Sequence, residues 1–284
     1  MNKRIIHSIE WATLAGSTAI VCLFLISILY NLFSQGLPVI SWTFITTFPT
    51  DGMTKGGIFP AIMGTVLVTI ITCISAAPFG IACAIYLNEY ATNSKMTSLI
   101  RACIRNLAGV PSVIYGLFGL ALFVQGLHFG TSLISAGLTL GLLSLPYIIT
   151  TAEESLKRVS YSLREASMAI GATHFETVRD TVVPQAMPGI LTGVVLTLSR
   201  TAGETAPILF TGVAFYINGV PGLNQEFMAL PYHLYMLSTQ HESIEAVRPL
   251  AYGTAVVLIL VVFLMNLLAF FIRYKYRKYE AIRL

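Results

Sequence analysis

Residues 164–189 read REASMAIGATHFETVRDTVVPQAMPG, an order that predicts a helix, a turn and a second helix. Glu165 to Ile170 continues the first helix, and Gly171 permits a left-handed or otherwise strained turn. Thr173 caps the second helix, and Glu176, three residues on, completes a capping box before Pro184 is expected to end the segment. Upstream, Glu153 with Lys157 and Glu154 with Arg158 stand four apart in the favourable order, so this approach reads as a solvated helix face.

On both sides of this stretch the chain turns apolar. Hydrophobic residues make up 55% of the sequence and charged ones 11%, against roughly 25% charged in an average soluble domain. A helix needs about 20 apolar residues to cross a hydrocarbon core. Six such runs are present, at 11–33, 58–87, 106–125, 131–151, 189–210 and 251–272. They are continuously apolar rather than alternating, so they predict helices and not a barrel. The fold class expected is an all-α membrane protein of six transmembrane helices. The first run comes after Lys3, Arg4 and His7 and is too long for a signal peptide, so it reads as an uncleaved anchor.

Lysine and arginine set the orientation, because short loops that carry them stay in the cytoplasm. With both termini inside, fourteen of the 17 basic residues are cytoplasmic, two (Lys55 and Arg248) are outside, and Arg200 lies within a helix. Equal sidedness of the termini requires an even number of spans. The net charge of +4 therefore reflects topology and implies no nucleic-acid partner; the tail RYKYRKYEAIR is a membrane-surface anchor in contact with lipid. Cys22, Cys73 and Cys83 fall in spans and Cys103 in a cytoplasmic segment, a spacing that suggests neither disulfides nor a metal site.

Residues 1–57 hold the first helix and a polar loop, expected to pack outside the others. Residues 58–272 form a core of five spans, and 273–284 a basic cytoplasmic tail. Two interruptions are long enough to carry structure or function: cytoplasmic 152–188 and periplasmic 211–250. Pro78, Pro111 and Pro146 lie in apolar context; Pro78, beside Ala76, Ala77 and Gly80, reads as a kink with close small-residue packing.

The stretch 164–189 resembles the EAA loop of ABC importer permeases: Glu-Ala-Ala, three residues, Gly, nine residues, then Ile-x-Leu-Pro. Glu165, Ala166, Gly171 and Pro184 match in register, while Ser167, Thr181 and Val183 depart from the pattern without shifting it. The resemblance implies a type I importer permease bundle in which this loop forms a coupling helix docking on a dimeric cytoplasmic ATPase. The chain carries no GxxxxGK[ST], so it is expected to be a transport subunit that binds ATP through no P-loop of its own. The stretches GTVLVTIITCISAAPFGIACAIYLNEY, LAGVPSVIYGLFGLALF, LTLGLLSLPYIITTAEESLKRV and SRTAGETAPILFTG narrow the resemblance to phosphate-specific permeases. GETAP with the later MALPYHLY is similar to their A-type subunit. Implied partners are a related second permease and a periplasmic phosphate-binding protein, with no cofactor and a place in the bacterial inner membrane.

SRTAGETAP has a physical reading of its own. Arg200 and Glu204 are four apart, hence on one face of a helix, in a span otherwise made of Leu, Val, Thr and Ala. Each costs several kcal/mol facing lipid, so both are expected to face the bundle or a wet cavity. Gly203 thins the helix, and Pro207 leaves the Gly203 carbonyl without its donor. Arg200, Glu204, Thr201 and Thr205 are the candidate substrate-pathway residues. Arginine suits an oxyanion through its planar fork. Glu204 repels one, so it orients Arg200, is protonated near substrate, or pairs with the second permease. A structural ion pair that only fixes packing is the competing reading.

His128, His233 and His241 form no metal-ligand pattern and read as surface residues. Tyr232, Tyr235 and Trp42 read as interfacial aromatics. Glu226, Glu242 and Glu245 suit either a binding-protein contact or a solvated loop. A permease of the same fold for molybdate, sulfate or phosphonate is the alternative function. A membrane enzyme or sensor would need a catalytic cluster or an output domain, and the sequence shows neither.

Overall fold

Apolar runs leave their backbone groups no partner but one another, and the chain is helical almost throughout. A computed structural model describes residues 3–92, 94–217 and 219–283, without the side chains of 3–6, 8–10, 272 and 276–283. In order come α1 (Lys3–Gly36), α2 (Trp42–Thr46), a small hairpin of β1 (Pro49–Thr50) and β2 (Lys55–Gly56), and α3 (Phe59–Ile85), which passes into a π turn at Tyr86–Tyr90. Next are α4 (Lys95–Leu107), α5 (Ser112–Gly119), which continues as a π turn to Gly126, and α6 (Leu133–Lys157). The candidate coupling segment supplies α7 (Tyr161–Ala169), α8 (His174–Glu176) and a π turn at Thr177–Val182, leading into α9 (Val183–Thr201). The chain ends with α10 (Ala206–Thr211), α11 (Leu230–Thr239) and α12 (Ile244–Arg283).

Among the described residues, five helices are long and apolar enough to cross a membrane, and a sixth crossing is made by α4 and α5 if that bent pair counts as one. α3 and α6 make the most extensive helix contact, and α9 packs on both α6 and α12. Small residues bring α3 and α6 together: a methyl added at Gly80 would stand 2.6 Å from the Ile148 side chain, as expected of the Pro78 neighbourhood. Ile148, Ile190, Val194 and Ala76 form one buried cluster, and Val68, Leu140, Ile208 and Phe227 another. α1 packs against α12 and is otherwise exposed along its length.

Three expectations about the helices need correction. The third run is not a straight span from 106 to 125: the chain turns by 100° between Leu107 and Ser112. Pro111 cannot continue the preceding helix and caps the next. The fifth run is not one helix over 189–210, since α9 ends at Thr201 and α10 starts at Ala206. Nor does Pro184 end the coupling segment. The π turn just ahead of it accommodates the missing N–H, and the helix runs on from His174 to Thr201.

The long stretch after α10 is structured. Val213 and Phe227 form a parallel bridge, and α11 packs on α12 and α3. His233 on α11 is 3% exposed rather than a surface residue, and its burial pushes the imidazole down to about 4. Tyr232 and Tyr235 stack with centroids 6.4 Å apart.

Candidate functional site

The end of α9 tightens before it stops. Gly203 N–H donates to the Arg200 carbonyl at 3.1 Å and Glu204 N–H to the Thr201 carbonyl at 3.0 Å, both one residue short of the α spacing. Pro207, in the first turn of α10, has no N–H to return to Gly203. Arg200 and Glu204 therefore do not share a helix face, since the helix between them is gone. They still come near: Arg200 Nη2 and Glu204 Oε1 are 3.9 Å apart, with Arg200 half-exposed and Glu204 mostly covered. That separation is too long for a hydrogen bond, so the guanidinium's donors are not committed to this carboxylate.

What Arg200 rests on is an aromatic ring. Its guanidinium carbon stands 4.4 Å from the centroid of Tyr147 on α6, within cation–π range. The Tyr147 hydroxyl donates to the Ala108 carbonyl at 2.7 Å, and the Tyr115 hydroxyl to the Leu107 carbonyl at 2.9 Å. Two phenols thus hold the bend between α4 and α5, and one of them is the platform under Arg200. Sequence reasoning missed Tyr147; the available signal was a tyrosine directly after Pro146 in mid-span, where a polar tip needs a partner.

Thr201 lies elsewhere. Its hydroxyl is buried, donating to the Thr197 carbonyl at 2.9 Å and lying 3.0 Å from Ser144 Oγ. It pins α9 to α6. Thr205 is half-buried at the start of α10. Ser144 sits near the middle of α6, whose 25 residues extend about 37 Å, so the break and its charges lie near mid-height of the bundle.

The other candidate residues stand at the end of the bundle formed by α7 and α8. Glu165, Ala166, Gly171 and Pro184 are all exposed. Gly171 has φ +95° with open space around it, so backbone geometry alone requires glycine there. The capping box is present: Thr173 Oγ1 accepts from Glu176 N–H, and Glu176 accepts from Thr173 N–H at 2.8 Å. Those Thr173 donors hold the Glu176 carboxyl below the usual carboxylate range. Beside the turn, Ile170 is 88% exposed and Phe175 61% exposed, an apolar surface that invites a partner.

Glu153 is not on a solvated face. It is buried between Arg101 and Lys157, with each nitrogen 2.8 Å from Oε1. Glu89, which sequence reasoning passed over, pairs with Arg164 at 2.7 Å with its side chain 4% exposed. Only sequence-distant contacts reveal the Arg101–Glu153 and Arg164–Glu89 pairs. Among the described residues, no three His, Cys, Asp or Glu side chains are grouped to hold a metal ion.

A family profile described as "Binding-protein-dependent transport system inner membrane component" matches residues 76–278. The phosphate transport system permease protein PstA 1 of Mycobacterium tuberculosis (strain ATCC 25618 / H37Rv) is 32% identical over 279 residues, covering 96% of this chain and 89% of its own. The PstA protein of Xylella fastidiosa (strain 9a5c) is 33% identical over 248 residues, covering 84% and 82%. Two solved structures share the fold: the MetNI methionine ABC transporter, with TM-score 0.61, 19% identity and 77% and 97% covered, and a bacterial alginate ABC transporter, with TM-score 0.65, 14% identity and 92% of each chain covered.

Proposed function

The chain belongs to the family of binding-protein-dependent transport system inner membrane components, and from that membership we propose that Arg200 meets the cargo on its way through the bundle. The protein is a permease subunit of a phosphate ABC importer, and ATP hydrolysis lies in a separate subunit. Its family works with another permease, an ATPase and a substrate-binding protein. For this chain the second permease is a related chain, the ATPase is a cytoplasmic dimer, and the binding protein is periplasmic and carries phosphate. Both termini are placed in the cytoplasm, in keeping with the distribution of basic residues.

The observation that carries the pathway assignment is the state of Arg200. A half-exposed arginine at mid-height of an apolar bundle, on broken backbone, stacked on Tyr147 and only loosely matched to Glu204, keeps its fork free for an oxyanion. Glu204 sets the guanidinium's position without consuming it. Thr201 supports the site by holding α9 to α6, and Thr205 lies beside the break. At the other end, the Gly171 turn with Glu165 and Ala166 enters the ATPase, and Pro184 lies where that segment joins α9. ATP binding then biases the importer between two arrangements of the same helices.

Uptake of labelled inorganic phosphate by vesicles holding the complete importer tests the cargo. Unlabelled phosphate is expected to compete, and sulfate, molybdate and phosphonate to leave uptake unchanged. Competition by one of those three at equal concentration would transfer the assignment to that oxyanion.

A further inference from the structure

Within the coupling segment, α7 is tied to the end of α3 by one guanidinium, while the neighbouring α8 meets the same end through an edge contact of His174 with Tyr90, ring centroids 5.1 Å apart. α7 has no buried residue, so apolar packing does not seat it. Arg164, one residue before Glu165, does. Its Nε donates to Glu89 Oε2 at 3.2 Å and its Nη2 to Glu89 Oε1 at 2.7 Å, a two-pronged pairing. Nη1 also donates to the Val159 carbonyl at 2.7 Å and Nη2 to the Leu156 carbonyl at 3.2 Å. Both side chains are largely withdrawn from solvent, at 14% and 4% exposure.

These partners belong to three elements. Glu89 is in the π turn that ends α3, Leu156 is in the last turn of α6, and Arg164 is in α7 itself. The same π turn is held from another direction, because Arg101 on α4 donates to the Leu87 carbonyl at 2.6 Å while contacting Glu153 on α6. Along the chain, α7 is joined to α6 before it and α9 after it; Glu89 lies 75 residues from Arg164. A buried carboxylate left alone is costly, so the pair resists separation and behaves as a rigid joint.

We propose that Glu89 and Arg164 are the positioning pair that makes α3 move with the coupling turn, so that the force of ATP binding reaches a helix that is not a neighbour of the turn along the chain. Neither residue touches cargo or nucleotide; they act through α7. The proposal rests on the importer reading and deepens it.

The test uses the complete importer in vesicles with its binding protein. Glu89→Gln keeps the shape and loses the charge, and Arg164→Lys keeps the charge and loses the fork. Both are expected to co-purify with the ATPase and hydrolyse ATP near the wild-type rate. Phosphate taken up per ATP hydrolysed is expected to fall at least about fivefold, and the double variant to be no worse than either single one, as for one shared interaction. A cargo-independent reading comes from Cys83, half-buried on α3 just before the π turn. With the other cysteines replaced by serine, its rate of thiol labelling is expected to change on nucleotide binding in the otherwise wild-type chain and to lose that response in Glu89→Gln. Unaltered uptake per ATP in both assembled variants, or an unaltered Cys83 response in Glu89→Gln, would overturn the proposal. So would failure of both variants to hold the ATPase, since that marks a docking role only. If wild-type vesicles take up no phosphate while the Cys83 response behaves as stated, the cargo assignment fails and the joint stands.

Discussion

Arg200 is held beside both an aromatic face and a carboxylate: its guanidinium carbon is 4.4 Å from the Tyr147 centroid, and Nη2 is 3.9 Å from Glu204 Oε1. Replacing Tyr147 by leucine removes the platform, worth about 0.5–2 kcal/mol. Uptake per assembled complex should fall roughly twofold to thirtyfold by the same range. Tyr147→Phe keeps the ring and frees the Ala108 carbonyl, so it should retain most uptake while loosening the α4–α5 bend. A leucine variant as active as wild type would show that the ring does not support Arg200.

The turn at Gly171 is governed by backbone geometry, because φ is +95° and nothing crowds the position. Valine there carries strain of about 1–2 kcal/mol or more, while asparagine tolerates a left-handed backbone better. Gly171→Val should insert normally and lose the co-purifying ATPase, and Gly171→Asn should keep a larger share of it. Equal retention by the two would mean that the turn geometry does not govern docking.

Much of this was legible in the sequence because it is local. The capping box at Thr173 and Glu176, the turn at Gly171 and the apolar runs arise from neighbours a few residues apart. The break after Thr201 was signalled by Gly203 and Pro207, yet hydropathy alone ran the end of α9 and α10 together; at Pro111 the run at 106–125 took α5 with only the end of α4, whose charged residues hid the rest of that helix. Pairings across the fold were not legible: nothing local ties Glu89 to Arg164 or Tyr147 to Arg200. Glu153 misled because its i,i+4 match with Lys157 is real, while the burial that Arg101 completes comes from α4.

Topology rests on the basic residues and is open to direct labelling. A single cysteine at Ser160, exposed beside α7, should react only with reagent on the cytoplasmic side. One at Asn224, exposed in the connection before α11, should react only from outside. The reverse pattern would invert the proposed orientation.

His233 gives the end of the bundle around α11 a dependence on pH. Its folded value of about 4 lies below the ordinary 6.5, so the unfolded chain binds a proton that the folded one refuses. Stability is therefore lost as pH falls from about 6.5 towards 4 and changes no further below that, up to about 2 kcal/mol by pH 5. The melting temperature of the purified protein should drop between pH 7.5 and pH 5, and His233→Leu should shrink the drop. An identical drop in the variant would assign the acid sensitivity to other groups.

The central claim is that Arg200 serves the cargo and not only the packing. Phosphate uptake in vesicles, normalised to assembled complex, decides it when measured for Arg200→Lys, Arg200→Gln, Glu204→Gln and the double neutral variant. If the fork holds the oxyanion, Arg200→Lys assembles with uptake lowered at least about tenfold, and the double variant assembles but stays inactive. Near-normal uptake by the double variant, in which no charge is left unpaired, would contradict the account.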